Sequence, residues 1–224
     1  MEFKKIHNKG QAMLFRNEYI EYLTKTHPLV IWVIYLPILI LFPYYAAHSL
    51  QMDTKKIMIL FLAGIFFWTL TEYLLHRFIF HYQPKTDNGK KLIYLIHGNH
   101  HEYPRDKERL FMPPLPSLFI ASCFLLIFYI IIGQMAIPFF PGFMLGYLIY
   151  GSMHYAIHAW NPPFKWLKPL WRNHHLHHYK HDNFGFGVSS TFWDVVFGTM
   201  YDLKNEKEDE GKIRELTFSK VQKV

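Results

Sequence analysis

The apolar residues of this chain are gathered into four long blocks that are separated by polar stretches. The blocks cover residues 29–47, 57–75, 115–137 and 138–157. Because about 20 consecutive apolar residues span a bilayer as a helix, this pattern predicts about four transmembrane helices. Proline ends or kinks helices, so we place the turn between the last two blocks at Pro141-Gly142.

Two details of this pattern leave alternatives. Pro37 and Pro43 interrupt the first block, which is therefore either a complete span or a re-entrant segment. Residues 11–26 form either an interfacial helix or part of a solvated tail. In the polar stretch between the second and third blocks, Asp87-Asn88-Gly89 predicts a turn.

The basic charges indicate how the chain lies in the membrane. The net charge of +7 is compatible with nucleic-acid binding, but cytoplasmic loops of membrane proteins are also enriched in lysine and arginine. If the N-terminus is cytosolic, four spans leave only Lys55 and Lys56, of 24 lysines and arginines, on the far side. We therefore predict an integral membrane protein that has no nucleic-acid partner.

Ten of the fifteen histidines fall into four clusters with the spacing of metal ligands. Imidazole is the commonest protein ligand for transition metals. The single cysteine, Cys123, lies in an apolar block and excludes a cysteine metal site. The four clusters are His76/His81, His97/His100/His101, His154/His158 and His174/His177/His178.

Residues at positions i, i+3 and i+4 share one face of a helix, so we expect the rings within each of the second, third and fourth clusters to aim together. The predicted topology also places all four clusters at the cytosolic face. One such pair is as easily a coincidence as a ligand pair, but two His-x-x-His-His clusters are not. His175 is rotated by about 100° from the face of its neighbour and should point elsewhere, while His181 is a weaker candidate. The isolated histidines are interpreted as surface residues: His7, His27 and His48.

The number of ligands predicts two metal ions. Structural zinc takes four ligands, whereas ten imidazoles provide about five for each of two ions and leave one position of an octahedron open. Imidazole binds iron as well as zinc, and zinc cannot change its oxidation state. We therefore predict a non-haem di-iron site with dioxygen as co-substrate, although zinc fits the same ligands.

Carboxylates near the histidines are expected to orient the rings. Glu72 precedes His76 by four residues, and we predict that it accepts the other ring N–H of His76. Glu72 is the candidate catalytic residue, with a simple role in capping a membrane span as the alternative. Asp182, Asn183 and Asp194 are further candidates for orienting the rings.

The ordered histidine set resembles the fatty acid hydroxylase superfamily, and within it the ceramide (dihydroceramide) fatty acid 2-hydroxylases. Motifs that support the resemblance are Glu72-Tyr73-x-x-His76-Arg77-Phe78-x-Phe80-His81, His177-His178-Tyr179-Lys180, Gly185-Phe186-Gly187-Val188 and Trp193-Asp194-x-Val196-Phe197-Gly198-Thr199. The resemblance covers roughly residues 70–200 and all ten family ligand positions.

The resemblance implies an all-α integral membrane protein with a cytosolic helical cap that carries a histidine-rich dimetal site. It implies an oxidoreductase that hydroxylates C2 of an acyl chain in a ceramide, another sphingolipid or a very long chain fatty acid. We divide the chain into an N-terminal cytosolic or interfacial segment (1–28), a hydroxylase membrane domain (29–203) and a charged tail (204–224). The membrane is the bacterial inner membrane or the endoplasmic reticulum.

Many eukaryotic members carry an N-terminal haem-binding domain with a His-Pro-Gly-Gly signature. This sequence has only His27-Pro28, followed by Leu29. We therefore expect a separate electron-donor protein, of the cytochrome b type or ferredoxin-like.

Two other functions fit the same residues. Acyl desaturation, or oxidation of a sterol or alkane, uses the same metal platform and differs in the C–H bond presented to it. A non-enzymatic metal-binding or transport protein is the alternative of another class. No predicted span has a histidine at its middle, which argues against a transport path.

Overall fold

The computed structural model describes residues 6–202, and this part of the chain is helical and contains no β-strand. The prediction of an all-α protein is therefore confirmed. The charged tail predicted at 204–224 lies outside the described residues.

The helices differ widely in length, and two of them continue as π-helical turns. In chain order they are α1 (Glu18–Leu23), α2 (Pro28–His48), α3 (Thr54–Leu74), a π-helix (Leu75–Phe80), α4 (Asp87–Ile93), a π-helix (Tyr94–Gly98), α5 (Asn99–Glu102), a 3-10 turn (Lys107–Arg109), α6 (Pro114–Ile132), a 3-10 turn (Gly133–Met135), α7 (Ala136–Ala159), a 3-10 turn (Lys165–Leu167), α8 (Lys168–Tyr179) and α9 (Phe192–Val196).

The chain forms two compact units. The first, which we call the apolar unit, comprises Phe15–Thr71 and Glu108–Ser152. The second, which we call the histidine unit, comprises, among the described residues, 6–14, Glu72–Lys107 and 153–202, and it includes all four histidine clusters.

Three segments are long and apolar enough to cross a membrane: Pro28–His48, Thr54–Phe80 and Lys107–Ala159. The third extends over 53 residues and contains both α6 and α7. Within the most apolar 18 residues of each segment, only 17%, 28% and 17% are buried inside the protein. Most of this apolar surface therefore needs an apolar environment such as a lipid bilayer. The segments support an integral membrane protein, while the number of spans and their orientation stay predictions.

The boundary between the third and fourth apolar blocks differs from the prediction. Helix α6 ends at Ile132, and Gly133 adopts a positive φ of 58° that favours glycine. Pro141 lies inside α7, so the turn predicted at Pro141-Gly142 is wrong. The breaker is the glycine, because Pro138 falls in the first turn of α7, where backbone N–H groups have no intrahelical partner.

The first apolar block forms one continuous helix of 21 residues through Pro37 and Pro43. The His27 side chain caps this helix by accepting the N–H of Leu29 at 3.3 Å, and Pro28 occupies its first turn. Upstream, only the short helix α1 forms within residues 11–26, and its N-cap is Asn17.

The turn predicted at Asp87-Asn88-Gly89 is also wrong, because these residues begin α4. The Thr86 hydroxyl accepts the N–H of Gly89 at 3.2 Å, as an N-cap does, and Asp87 places a negative charge in the first turn. Residues that favour turns also favour helix starts, and the capping threonine decides between the two here.

Within the apolar unit, α3 and α7 cross at two glycines. A Cβ atom on Gly64 would stand 2.2 Å from the carbonyl oxygen of Phe139, and one on Gly142 would stand 1.9 Å from that of Phe61. The backbones of the two helices are therefore in direct contact. Small residues permit such close approach where helices pack inside membranes.

We predict that Gly142→Ala destabilises the protein, although alanine favours a helix by about 1 kcal/mol over glycine. The added methyl group meets a backbone oxygen that cannot move without displacing α3, and overpacking of this kind costs about 1–3 kcal/mol. Thermal unfolding of the detergent-solubilised protein should occur at a lower temperature. Ile149→Ala, at a site on α7 that is 40% exposed, is the control with a smaller effect. An unchanged unfolding temperature for Gly142→Ala would contradict this close crossing.

Candidate metal centre

The histidine unit carries its clusters on short helical segments. His154 and His158 lie near the end of α7, and His174, His177 and His178 lie on α8. The cluster His97/His100/His101 lies on the π-helix at Tyr94–Gly98 and on α5. All but one of the ten rings are buried, and His81 is half-buried. Histidine is a polar residue, so the burial of so many imidazole rings side by side calls for binding partners other than water.

The spacing of His76 and His81 is explained by the π-helix at Leu75–Phe80. In an α-helix, residues five apart are separated by about 140° and face different directions. A π-helix pairs residues i and i+5, so it returns them to one face. The two rings consequently lie with centroids 5.1 Å apart.

The ten rings form two groups of five, and within each group the candidate ligand atoms all lie within 4.8 Å of one another. The first histidine group consists of His76, His81, His97, His101 and His177. The second histidine group consists of His100, His154, His158, His174 and His178.

Each His-x-x-His-His cluster is divided between the two groups. The i, i+4 pair His97/His101 belongs to the first group, whereas His100 belongs to the second. On α8 the pair His174/His178 belongs to the second group, whereas His177 belongs to the first. The expectation that all rings of a cluster aim together is therefore wrong for both of these clusters.

Several Nε2 atoms face each other directly. In the first group, His76 and His97 are 3.1 Å apart and His177 and His81 are 3.0 Å apart at these atoms. In the second group, the corresponding distance between His158 and His174 is 2.9 Å. Nitrogens about 2.1 Å from one ion are about 3.0 Å apart in neighbouring octahedral positions and about 3.4 Å apart in tetrahedral ones. The observed distances fit five positions of an octahedron better than a tetrahedron.

The protonation of the rings also suits metal binding. Burial, reinforced by repulsion among neighbouring rings, lowers the pKa of His97, His100 and His174 well below the ordinary value. The rings are therefore neutral near pH 7, which is the form that binds metals. Nε2 of His100 is buried and has no hydrogen-bond partner among residues 6–202, so it is an acceptor that a metal ion would satisfy.

Backbone carbonyls fix the tautomer of two rings in the first group. Nδ1 of His76 lies 2.6 Å from the carbonyl oxygen of Phe186, and Nδ1 of His177 lies 2.7 Å from that of Phe184. Each Nδ1 must therefore carry the proton, which leaves the lone pair on Nε2 for a metal. Nδ1 of His81 contacts the Asp182 carboxylate at 3.2 Å and is oriented in the same way.

The two groups are neighbours. The rings of His101, from the first group, and His178, from the second, stack with centroids 4.1 Å apart and an interplanar angle of 24°. His97 and His100, also from different groups, have centroids 5.5 Å apart. Two ions held by these groups would belong to one centre.

The remaining histidines stay outside both groups. His175 is buried and contacts the carbonyl oxygen of Ile157 at 3.3 Å, and burial lowers its pKa to about 4. His181 is exposed and packs against Tyr201. His27 and His48 are exposed, as predicted, whereas His7 is half-buried and stacks on Tyr103.

Glu72 does not accept a hydrogen bond from His76, so that part of its predicted role is wrong. Its Oε1 accepts the backbone N–H groups of Val188 at 2.7 Å and Ser189 at 2.9 Å, and its Oε2 accepts the Ser189 hydroxyl. The carbonyl of Phe186 takes the ring N–H that was assigned to Glu72. A backbone acceptor of this kind cannot be read from side-chain identities, although the Gly185-Phe186-Gly187 sequence indicates an unusual loop.

Comparison with known proteins gives the chain its family. The family described as fatty acid hydroxylase matches residues 61–199, which include both histidine groups. The chain belongs to the fatty acid hydroxylase family.

Members of this fatty acid hydroxylase family with curated descriptions are similar over most of this chain. The chain is 40% identical to "Ceramide very long chain fatty acid hydroxylase SCS7" of Saccharomyces cerevisiae over 86% of this chain and 50% of that protein. It is 35% identical to "Dihydroceramide fatty acyl 2-hydroxylase FAH1" of Arabidopsis thaliana over 92% of this chain and 86% of that protein. It thus spans half the length of the yeast relative and most of the plant one.

A solved hydroxylase structure shares the fold. The structure described as "Full length scs7p (only hydroxylase domain visible)" superimposes with a TM-score of 0.80 at 38% sequence identity. The match covers 86% of this chain and 73% of that one. The helical fold derived above is therefore the hydroxylase-domain fold.

We predict that the purified protein binds two metal ions and that His174→Ala loses one of them, because a ligand of the second group is removed. His175→Ala is the matched control, since His175 is the next residue on α8, is also buried and lies in neither group. Elemental analysis after gel filtration measures both variants. Equal metal content in the two variants would argue against the division into groups.

Proposed function

We propose that this protein is a dioxygen-dependent 2-hydroxylase of an acyl chain, carried by a ceramide, another sphingolipid or a very long chain fatty acid. The observation that carries the proposal is the division of ten buried histidines into two adjacent groups of five. The names of the yeast and plant relatives, which specify ceramide and dihydroceramide acyl groups, support the substrate class.

The reaction sets what the site must provide. Hydroxylation converts the C2 methylene to a secondary alcohol and reduces the second oxygen atom of dioxygen to water, with two electrons and two protons. Two bound iron ions would supply the activation of dioxygen and the removal of hydrogen from C2, which amino-acid side chains do not provide. Iron is favoured over zinc because the chemistry requires a change of oxidation state.

The chain's own residues would hold and orient the ions. All ten candidate ligands are imidazoles, and neither group contains a carboxylate among the described residues. Five imidazoles per ion leave one octahedral position open for a small molecule. The carbonyls of Phe184 and Phe186 keep two of the rings in the ligating tautomer.

The remaining parts of the proposal concern the surroundings of the site. The three candidate spans support a substrate that enters from a membrane, with its tail in the bilayer. We propose that the site opens at the cytosolic face of the endoplasmic reticulum or of the bacterial inner membrane. The two electrons would come from a separate donor protein, of the cytochrome b type or ferredoxin-like.

We predict that expression of this chain, in a host that makes ceramides without 2-hydroxyl groups, produces 2-hydroxylated acyl chains. His177→Ala should abolish the product, because it removes the one ligand that α8 gives to the first group. His181→Ala, an exposed histidine four residues further along, should retain it. Mass spectrometry of the extracted sphingolipids measures all three strains.

The same strains separate the alternatives. If the cells instead contain acyl chains with a new double bond, or an oxidised sterol or alkane, then the metal site catalyses one of these reactions and not hydroxylation at C2. Unchanged lipids together with altered metal uptake in His177→Ala would point to a metal-handling protein and overturn the enzyme proposal.

A further inference from the structure

The loop at residues 184–189 connects the first histidine group to two carboxylates that touch no histidine ligand. Its carbonyl groups accept the Nδ1 protons of His177, at Phe184, and of His76, at Phe186. The position of this loop therefore determines the orientation of two rings. We call it the clamp loop.

Every backbone N–H of residues 185–189 in the clamp loop has an acceptor. Asp194 accepts those of Phe186 at 2.9 Å and Gly187 at 2.8 Å. Glu72 accepts those of Val188 at 2.7 Å and Ser189 at 2.9 Å. The N–H of Gly185 donates to the carbonyl oxygen of Thr199 at 2.8 Å.

Both carboxylates are buried and held by hydrogen bonds. Glu72 is 3% exposed and Asp194 is fully buried. Asp194 also accepts the Thr199 hydroxyl at 2.8 Å and the Asn173 side-chain amide at 3.3 Å. Burying a carboxylate is costly unless it accepts several hydrogen bonds, and Asp194 accepts four while Glu72 accepts three.

Two rings of the second histidine group differ in this respect. Nδ1 of His174 and Nδ1 of His178 are buried and have no hydrogen-bond partner in the described part of the chain. In the first group, by contrast, His76, His81 and His177 all have an acceptor at Nδ1. The two groups thus offer the same kind of ligand with different degrees of preorganisation.

We infer that Glu72 and Asp194 are positioning residues that act through the clamp loop to set the metal affinity of the first histidine group, which consequently holds its ion more tightly than the second. The inference rests on the two-ion centre of the proposed function. It replaces the direct contact expected between Glu72 and His76 by an indirect one.

The effect should be selective for one ion. Asp194 accepts the N–H groups of Phe186 and Gly187 on its two different oxygens, so Asp194→Asn replaces one of these acceptors with an amide NH2 group that cannot accept a hydrogen bond. The loop carbonyl at Phe186 then loses its fixed position, and so does the ring of His76. Loss of such an outer partner typically lowers metal affinity about 10–100-fold.

The test follows release of Zn²⁺ from the zinc-loaded full-length protein in detergent, with a chromophoric chelator in excess. The wild-type protein should release two ions in two phases of equal amplitude. The phases are identified by His97→Ala, which should lack the slow phase, and His158→Ala, which should lack the fast one. The reverse assignment, or a single phase for two bound ions, would overturn the inference.

The positioning residues are then tested with Glu72→Ala, which removes the oxygen that accepts the N–H groups of Val188 and Ser189, and with Asp194→Asn. Each should accelerate the slow phase about 10–100-fold and leave the fast phase unchanged. The control is Ser190→Ala, next to the clamp loop, whose hydroxyl accepts the N–H of Phe192 and should affect neither phase. Equal acceleration of both phases, or of neither, in variants that keep the wild-type circular dichroism spectrum contradicts the inference.

These outcomes distinguish the inference from the proposed function. If the wild-type protein binds two ions and hydroxylates lipid, but the carboxylate variants change both release phases equally or neither, only the inference is contradicted. A wild-type protein that binds fewer than two ions defeats the proposed function. If neither carboxylate variant folds, the assignment of the two wild-type phases still decides which group holds its ion more tightly.

Discussion

The described structure depends on the convergence of buried, uncharged imidazoles. Burial lowers the pKa of His97 and His177, and carbonyl contacts place the protons of His76 and His177 on Nδ1, so lone pairs on Nε2 face one another about 3 Å apart. Such an arrangement is unfavourable without cations between the rings. Metal binding and folding of the histidine unit should therefore be coupled, as in other proteins whose ligand sets are assembled from separate segments.

The sequence predicted which histidines come together better than it predicted how they are grouped. Spacing and number pointed to ten histidines and two ions, because residue type and helical periodicity are properties of the sequence itself. The division of His97/His101 from His100 depends on where each helix points, which periodicity does not encode. Likewise, the five-residue spacing of His76 and His81 already contained the signal for a π-helix, since no α-helix brings such a pair together.

The errors elsewhere share one cause, which is that proline and turn-forming residues have more than one structural meaning. Pro37, Pro43 and Pro141 all lie within helices, whereas Gly133 ends one. Gly142 was interpreted as part of a turn, but its missing side chain serves the contact with Phe61. Long-range packing of this sort, like the carbonyl acceptors of the clamp loop, involves backbone atoms that every residue possesses, and the sequence therefore carries little sign of it.

The division of each His-x-x-His-His cluster has a mechanical consequence. His100 and His101 are adjacent residues that serve different groups, and so are His177 and His178. The separation of the two candidate ion positions is therefore tied to the covalent backbone at two independent places and reinforced by the stack of His101 on His178. A centre built in this way keeps its spacing when a helix shifts, because any movement of α8 carries ligands of both groups together.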